Sequence, residues 1–303
     1  MNYEEFKEKM LEELRNVYGD NAEVDIERLQ KNNGICYDGV QIRMKGKGTK
    51  VTPVIRLDEI YEKYCTGTVD MEECVRLALR TLKENKVPKS IERFAKKIND
   101  WNFIRKNVYP ILLSTKDNRE LLEKLVFKQM LDLSVVYIIR TKMRDGCDGS
   151  IKISKKLMEV YGISAEQLHE QAMENLKEDG YEFQDMDSVI RSLLTTEQMD
   201  GSPVDGTRDG VMHVLTNSSR TYGAAGILDG ELVKEFTGGR DYYILPSSIH
   251  ECIFVPVTDD TISKKDLDHM VAEVNATQVC VEERLTDHSY YYNGRTGEIR
   301  MCA

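Results

Sequence analysis

A run of mostly apolar residues, LDLSVVYII at 131–139, constrains the fold more than any other segment. It is rich in β-branched side chains and lacks the apolar–polar alternation of a strand with one face in water. The run therefore predicts a central strand that is covered on both faces.

The segments before this run predict a helix, a small sheet and further helices. Residues 2–18 carry apolar side chains every three or four positions and stop at Gly19, which predicts a helix. AEVDIERLQ and ICYDGVQIRM flank the turn KNNG and predict a hairpin, with VTPVIRL as a third strand. Asp70 and Glu73 resemble a capping box that opens a helix, and another helix follows Pro88. The side chains expected to face inward from the first and last of these helices are Tyr3, Phe6, Met10, Leu14 and Val17, and Ile91, Phe94, Ala95, Ile98 and Trp101.

The segments after residue 106 predict more strands, separated by capped helices. NVYPILLST, VMHVL, DYYILP and ECIFVPV are strand patterns, and DGELVKEF is a short helix. Ser164 and Gln167 cap a helix that ends at Gly180. The chain closes with a hairpin that turns at Asn293-Gly294. A last helix is capped by Ser263, and its expected inward residues are Leu267, Met270, Val271 and Val274.

Helices and strands mix without strict alternation, so the fold class is α+β. We expect an N-terminal lobe at 1–105, built from the first helix, the small sheet and helices. The C-terminal lobe at 106–303 then holds a larger mixed or antiparallel sheet with flanking helices. DGSPVDGTRDG at 200–210 predicts an exposed loop within it.

Charge and composition narrow the possible partners. A net charge of −10 repels phosphate backbones and makes nucleic acid an unlikely partner. The basic stretch from Lys83 to Lys106 is the solvated face of a helix or, alternatively, a weak phosphate-binding patch. No run approaches 18 apolar residues and the N-terminus lacks a signal-peptide pattern, so we expect a cytoplasmic protein with no membrane partner. The seven scattered cysteines fit reduced thiols.

The stretch PSSIHE at 246–251 suggests a catalytic triad at first sight. If Ser248 and His250 shared a strand they would be about 6.6 Å apart, whereas a catalytic Ser–His pair needs about 2.6–3.2 Å. Glu251 would face the opposite side, and the chain lacks a G-x-S-x-G elbow. We interpret Ser247 and Ser248 as turn residues between two buried strands, so no catalytic residue is assigned.

Two further segments lack residues that known phosphate- and calcium-binding motifs require. GKGTK at 46–50 lacks the Gly-Lys-Ser/Thr ending of a phosphate-binding P-loop, and RDGCDGS at 144–150 lacks the ligand spacing of a calcium loop. The five histidines lie on different predicted elements without H-E-x-x-H. No cofactor and no metal site is predicted.

The segment NSSRTYGAAGIL at 217–228 is the main candidate for binding. Its small residues allow a close backbone approach, and a helix N-terminus here could hold an anion beside Arg220. The alternative is tight packing of a short helix on the sheet, with Ser218 or Ser219 as its cap. The candidate ligand-binding residues are His213, Ser218, Ser219, Arg220, Tyr222 and His250.

The order of several motifs resembles a known family. VYPILLS, VVYII, ISAEQLHEQAMENL, MHVLTNSSRTYGAAGIL, DYYILPSSIHECIFVPV and LTDHSYYY occur in this order. The set resembles an uncharacterised family from clostridial gut bacteria, domain of unknown function 5688. Residues 107–292 are also distantly similar to the YtpQ family of Gram-positive bacteria, domain of unknown function 1444. The resemblance implies a cytoplasmic bacterial α+β protein of unknown role and assigns no site residue.

Two functional hypotheses remain open. The first is a non-catalytic module that binds a protein or a small molecule, to which an outward-facing tyrosine in HSYYYN would be suited. The second is a hydrolase or transferase with a pocket around residues 213–226 and His250. Convergence of Arg220, His213 and His250 on one pocket would favour the enzyme.

Overall fold

The computed structural model describes residues 1–46, 51–85, 87–141, 149–186, 188–189, 212–246, 248–258 and 263–301. The chain divides into two compact units, Met1–Ile104 with Thr141–Gly149 and Arg105–Arg140 with Ser150–Ala303. Helices and antiparallel sheets occur together, which confirms the α+β class. The predicted loop at 200–210, Ser247 and most of the 46–50 and 144–150 motifs lie outside the described residues. The division into lobes at 1–105 and 106–303 stays a prediction.

The first unit packs helices on a three-stranded antiparallel sheet. Asn2 and Glu5 form a reciprocal capping box that begins its first helix. Phe6, Met10 and Leu14 are buried as predicted, but Val17 is exposed near the end of this helix. The elements of this unit are α1 (Tyr3–Tyr18), β1 (Ala22–Gln30), β2 (Cys36–Met44), β3 (Val54–Arg56), α2 (Leu57–Cys65), α3 (Met71–Glu84), α4 (Lys89–Lys97) and α5 (Trp101–Ile104), and the sheet order is β1-β2-β3.

The predicted helices of this unit are confirmed for α3 and divided in two after Pro88. The Asp70 carboxylate accepts a hydrogen bond from the Glu73 N–H at the start of α3. The stripe predicted after Pro88 is interrupted, because α4 ends at Lys97 and α5 begins at Trp101. Phe94 is the buried residue of α4.

The second unit contains a four-stranded sheet around the run that constrained the fold. Every residue of its central strand, β6, is buried, which confirms a strand covered on both faces. The sheet order is β4-β6-β5, and β7 also pairs with β6. The elements are β4 (Val108–Ser114), α6 (Arg119–Leu122), β5 (Phe127–Met130), β6 (Leu133–Thr141), β7 (Gly149–Lys152), α7 (Lys155–Tyr161) and α8 (Ala165–Lys177). Ser164 and Gln167 form the predicted capping box of α8.

A six-stranded antiparallel sheet forms the rest of this unit. Its order is β13-β12-β10-β11-β9-β8, and DYYILP and ECIFVPV are neighbours as predicted. The predicted terminal hairpin is also confirmed, with Asn293 opposite Glu298. The elements are β8 (Tyr181–Asp185), β9 (His213–Asn217), a 3₁₀ helix (Gly223–Leu228), α9 (Gly230–Thr237), β10 (Tyr242–Leu245), β11 (Cys252–Pro256), α10 (Lys264–Thr277), β12 (Tyr290–Asn293) and β13 (Glu298–Met301).

The inward face of α10 differs from the predicted one. Leu267 and Val271 are buried, but Met270 is 38% exposed and Val274 is 41% exposed. The buried stripe continues instead through Asn275, whose amide donates hydrogen bonds to the Thr286 carbonyl and the Asp287 carboxylate. A partnered polar side chain therefore occupies a position that an apolar pattern cannot reveal.

Within the described part of the chain, none of the helices has the length and apolar character required to cross a membrane.

Candidate functional site

The Ser248–His250 segment lies between β10 and β11 rather than on a strand. Ser248 makes a single bridge with Arg284, and its Oγ accepts a hydrogen bond of 3.0 Å from the His250 N–H. The serine therefore satisfies a turn amide instead of meeting the imidazole, which confirms the predicted turn.

Both ring nitrogens of His250 are engaged. Nδ1 accepts a hydrogen bond of 3.2 Å from the Tyr222 N–H, so the proton of the neutral ring is on Nε2. Nε2 lies 3.3 Å from Glu283 Oε1. The ring also stacks on Tyr222, with centroids 5.8 Å apart. In this arrangement neither nitrogen is available to take a proton from a nearby hydroxyl, so the imidazole orders the backbone of the 217–228 segment.

Asn217 organises the polar half of that segment. It is fully buried, its Oδ1 accepts from Ser219 Oγ and from the Thr221 N–H, and its Nδ2 donates to the Thr221 carbonyl. Ser218, Ser219 and Arg220 are exposed. The predicted serine cap is wrong, because Tyr222 precedes the 3₁₀ helix, in a left-handed conformation and with no side-chain cap.

The small residues of the segment pack against the protein itself. A Cβ on Gly223 would lie 2.5 Å from the His250 carbonyl oxygen and 2.5 Å from Thr216 Oγ1. A Cβ on Gly226 would lie 2.6 Å from Tyr181 Cε1. These contacts favour the alternative stated for this segment in the sequence analysis, in which its small residues let a short helix pack tightly on the sheet.

A buried ion pair lies below this segment. The Arg140 guanidinium binds the Asp179 carboxylate through two hydrogen bonds of 3.0 and 2.6 Å, and Asn217 Nδ2 donates to the same carboxylate at 2.8 Å. The guanidinium carbon also lies 3.6 Å from the centroid of the Tyr109 ring. Asp179, which follows α8, thus accepts hydrogen bonds from Arg140 on β6 and from Asn217 on β9. These charge-assisted bonds connect the three elements.

His213 is separate from His250. Its ring stacks on Phe183, with centroids 4.6 Å apart. It begins β9, whereas the His250 carbonyl binds Thr216 near the other end of that strand. The three residue steps from His213 to Thr216 span roughly 10 Å. Of the six predicted residues, the structure brings Tyr222 and His250 together and places His213 apart, with Arg220 exposed. Ligand binding by this set stays a prediction.

A cleft of about 380 Å³ lies elsewhere in the second unit, and we call it the α8 cleft. Its walls come from the β5–β6 hairpin, from α8, from the end of the 3₁₀ helix and the first residue of α9, and from the terminal hairpin. The lining is mostly apolar, with polar groups grouped at β5 and α8. The residues that line it are Lys128, Gln129, Met130, Leu131, Val135, His169, Met173, Ile227, Leu228, Gly230, Gly297 and Ile299.

His169 is the centre of the polar end of the α8 cleft. Its Nδ1 lies 3.0 Å from the Tyr137 hydroxyl, and its Nε2 lies 3.4 Å from Lys128 Nζ. Burial lowers the pKa of His169, and the Lys128 ammonium lowers it further. Burial also raises the pKa of the Tyr137 hydroxyl to about 12, so this group stays protonated at neutral pH.

The turn beside the α8 cleft is held by an Asp–His–Tyr cluster. Leu131 has a φ of 55°, which is unusual for a residue with a branched side chain. The next residue, Asp132, accepts hydrogen bonds from Tyr290 and, at 2.9 Å, from His288. Burial alone would raise the pKa of Asp132, but these two hydrogen bonds outweigh it and hold the pKa below its usual value. The cluster fastens the β5–β6 turn to the terminal hairpin.

Comparison with known proteins gives a family. Residues 3–294 match a family described as Family of unknown function (DUF5688). The chain belongs to this family. The search of curated proteins finds no match, and the search of solved structures finds none either. The distant similarity to the YtpQ family stays a prediction.

For this DUF5688 member, the polar end of the cleft is the part that the sequence did not predict. Lys128 lies on β5, a short exposed strand that carries no clear pattern. His169 and Met173 are four residues apart on α8, and this spacing places them on one helix face. That spacing was the available signal, but Leu168, Ala172 and Leu176 define the stronger apolar stripe. Among the described residues, no group of three or more His, Cys, Asp or Glu side chains could hold a metal ion.

Proposed function

We propose that this DUF5688 member is a non-catalytic binding protein and that the α8 cleft is its site for a small molecule. The observation that carries the proposal is the cleft itself, because its volume of about 380 Å³ falls within the roughly 300–1,000 Å³ of small-molecule sites. Such sites combine an apolar lining with few polar groups, and Lys128 and His169 supply those groups here.

The apolar walls favour an adaptable fit. Met130 and Met173 line the cleft from two different elements, and unbranched thioether side chains adjust to the shape of a ligand. Ile227 and Ile299 add further apolar lining from the 3₁₀ helix and the terminal hairpin. A ligand with an apolar body is therefore suited to this space.

The hydrolase or transferase alternative has less support. It needs a free base near Ser218 or Ser219, whereas both nitrogens of His250 are engaged and Arg220 is exposed.

A cytoplasmic location is supported by the cysteines, since the five in the described part of the chain are free thiols.

A thermal-shift screen of the purified chain against metabolites, nucleotides and amphipathic acids tests the proposal. A ligand at 100 times its Kd should stabilise the protein by about 2.7 kcal/mol. Met173→Trp should fill the cleft and remove that shift, and Ile299→Trp should do so from the terminal hairpin. Glu174→Trp changes an exposed neighbour of Met173 on α8 and should keep the shift.

Melting curves without ligand show whether each variant folds. If a ligand still raised the melting temperature of both Met173→Trp and Ile299→Trp, it would bind outside the α8 cleft. A blank screen, together with a protein captured equally by wild type and Met173→Trp, would replace the small molecule with a protein partner that binds another surface.

A further inference from the structure

We propose that the α8 cleft binds a carboxylate with an apolar tail, that Lys128 and His169 receive the carboxylate, and that binding is accompanied by uptake of a proton on His169. This inference rests on the proposed function, since it names the ligand class for the same site. It begins with the charges at the polar end of the cleft.

Lys128 is a cation without an acidic partner in the described part of the chain. The polar atom near its ammonium is His169 Nε2, at 3.4 Å, and no carboxylate of the described residues lies within ion-pair distance of it. The contrast with Lys177 at the neighbouring surface is clear, because that lysine lies 3.3 Å from Glu231. In a chain with a net charge of −10, an acid to pair with Lys128 would be easy to supply. The ammonium is thus free to meet an anion from solution.

The same contact defines the protonation of His169. An ammonium only donates hydrogen bonds, so Nε2 accepts and the proton of the ring is on Nδ1, which donates to the Tyr137 hydroxyl. A second proton on Nε2 would face the Lys128 cation directly. The unliganded site therefore holds a neutral imidazole beside a positive charge.

A carboxylate bound beside Lys128 and His169 would favour the protonated form of the His169 ring. It would accept hydrogen bonds from the Lys128 ammonium and from a protonated His169 Nε2, and each of these bonds is charge-assisted. The groups that act on the ring are Lys128 from β5, the neutral Tyr137 hydroxyl from β6, and Glu170 from α8 itself. Burial and Lys128 lower the pKa of His169 in the free protein, and Glu170 opposes them. A bound anion offsets the lysine, so the histidine gains a proton on binding and affinity rises as pH falls.

The apolar tail follows from the position of the cation on the sheet. Lys128 lies opposite Val135 in the β5–β6 register, so both side chains are on the same face of the sheet. Met130 follows two residues later on this face. A ligand whose charged end meets Lys128 therefore places its next atoms over Val135 and Met130, which line the cleft.

Calorimetry with matched probes tests the inference. The probes are 4-phenylbutyrate and 4-phenylbutyramide, which share a tail and differ in charge, with octanoate and octyl phosphate as further anions. We expect the carboxylate to bind at least about tenfold more tightly than the amide, as for a hydrogen bond to a charged group. Titrations between pH 6 and 8, in buffers of different ionisation enthalpy, should show proton uptake that is largest between the pKa of His169 in the free protein and its higher pKa in the complex, and that declines at higher pH.

Variants separate the roles of the two residues. Lys128→Met should weaken 4-phenylbutyrate about tenfold and leave 4-phenylbutyramide unchanged. His169→Gln should remove the proton uptake. Lys156→Met removes an exposed lysine of α7 that does not line the cleft and should change nothing. In the free protein, NMR titration should show the pKa of His169 rising in Lys128→Met, since the cation that opposes its charge is gone.

The outcomes separate the inference from the proposed function. Equal binding of acid and amide, both abolished by Met173→Trp, would overturn the carboxylate and keep the cleft as a binding site. Carboxylate binding without proton uptake would overturn the role of His169. Tighter binding of octyl phosphate than of octanoate would replace the carboxylate with a phosphate ester. A failure of every probe to bind would overturn the carboxylate inference, whereas the proposed function would fall only if the wider thermal-shift screen were also blank.

Discussion

Removal of one partner of the Arg140–Asp179 ion pair should cause one of the largest losses of stability in this chain. The side chains are only 10% and 4% exposed, and the guanidinium meets the carboxylate through two hydrogen bonds. Arg140→Met leaves the Asp179 carboxylate buried, with Asn217 as the donor that remains. Because Asn217 also holds Ser219 and Thr221, the perturbation should reach the 217–228 segment.

The expected magnitude follows from burial. Breaking a buried ion pair from one side costs about 3–5 kcal/mol, since the charge left behind has lost its solvent and its partner. Arg140→Met also loses the contact with the Tyr109 ring, which adds roughly 0.5–2 kcal/mol. Asp179→Asn should cost less than Arg140→Met, because an amide keeps one acceptor for the guanidinium. The double variant should lose much less than the sum of the single losses, because the interaction is lost only once.

Urea unfolding monitored by far-UV circular dichroism measures these free energies. The single tryptophan, Trp101, lies in the first unit, so its fluorescence reports that unit. Amide exchange of β9 reports the segment above the ion pair. Arg76→Met is the matched control, because Arg76 is 55% exposed and its pair with Glu72 is screened by solvent. If Arg140→Met shifted the free energy of unfolding no more than Arg76→Met, the argument from burial would be wrong.

Three further predictions test neighbouring contacts. Tyr292→Phe should leave stability unchanged or raise it by up to about 1 kcal/mol, because this buried hydroxyl has no hydrogen-bond partner in the described part of the chain, whereas Tyr290→Phe should lose about 1–3 kcal/mol with its bond to Asp132. Urea unfolding of the two variants checks this, and equal losses would contradict it. Gly223→Ala should lower stability by about 1–3 kcal/mol, because the new Cβ would press on the His250 carbonyl, and an unchanged melting temperature would refute that clash. Burial works against the ionised form of Asp132, but its hydrogen bonds outweigh this and lower its pKa from the ordinary 3.8, so the stability it contributes is present above that pH and is lost as pH falls through the lower folded value. Asp132→Asn should therefore flatten the acid side of a stability–pH profile, and a profile parallel to that of wild type would exclude Asp132 as its source.

Local patterns predicted most of the second unit. The β6 run, the Ser164 capping box and the pairing of DYYILP with ECIFVPV were all visible, because each depends on residues close in sequence. The inward face of α10 was predicted in part, since Asn275 is buried by partners that no apolar pattern shows. A short helix is predicted in the 217–228 segment, but its start at Gly223 is not. The preceding residue, Tyr222, adopts a left-handed backbone conformation that Gly and Asn usually supply.

The candidate site was much less accessible to sequence reasoning. The partners that decide the chemistry of each histidine come from distant segments. Glu283 reaches His250 from the segment after α10, and Lys128 reaches His169 from a strand 41 residues earlier. Contacts of this kind depend on how the elements pack, and a single sequence does not contain that information.

The histidines of the second unit show why the partner, and not the residue type, indicates function. His250 accepts a backbone N–H at Nδ1 and faces a carboxylate at Nε2, so both nitrogens are engaged in holding a turn. His288 faces two acceptors, the Asp132 carboxylate and the Ser289 carbonyl, and it fastens one hairpin to another. His169 instead faces a cation in an apolar cleft. A carboxylate and a backbone group already engage both nitrogens of each of the first two rings. Among the described residues no carboxylate contacts His169, and under our proposal a ligand supplies that negative charge, so the α8 cleft is the place to look for function.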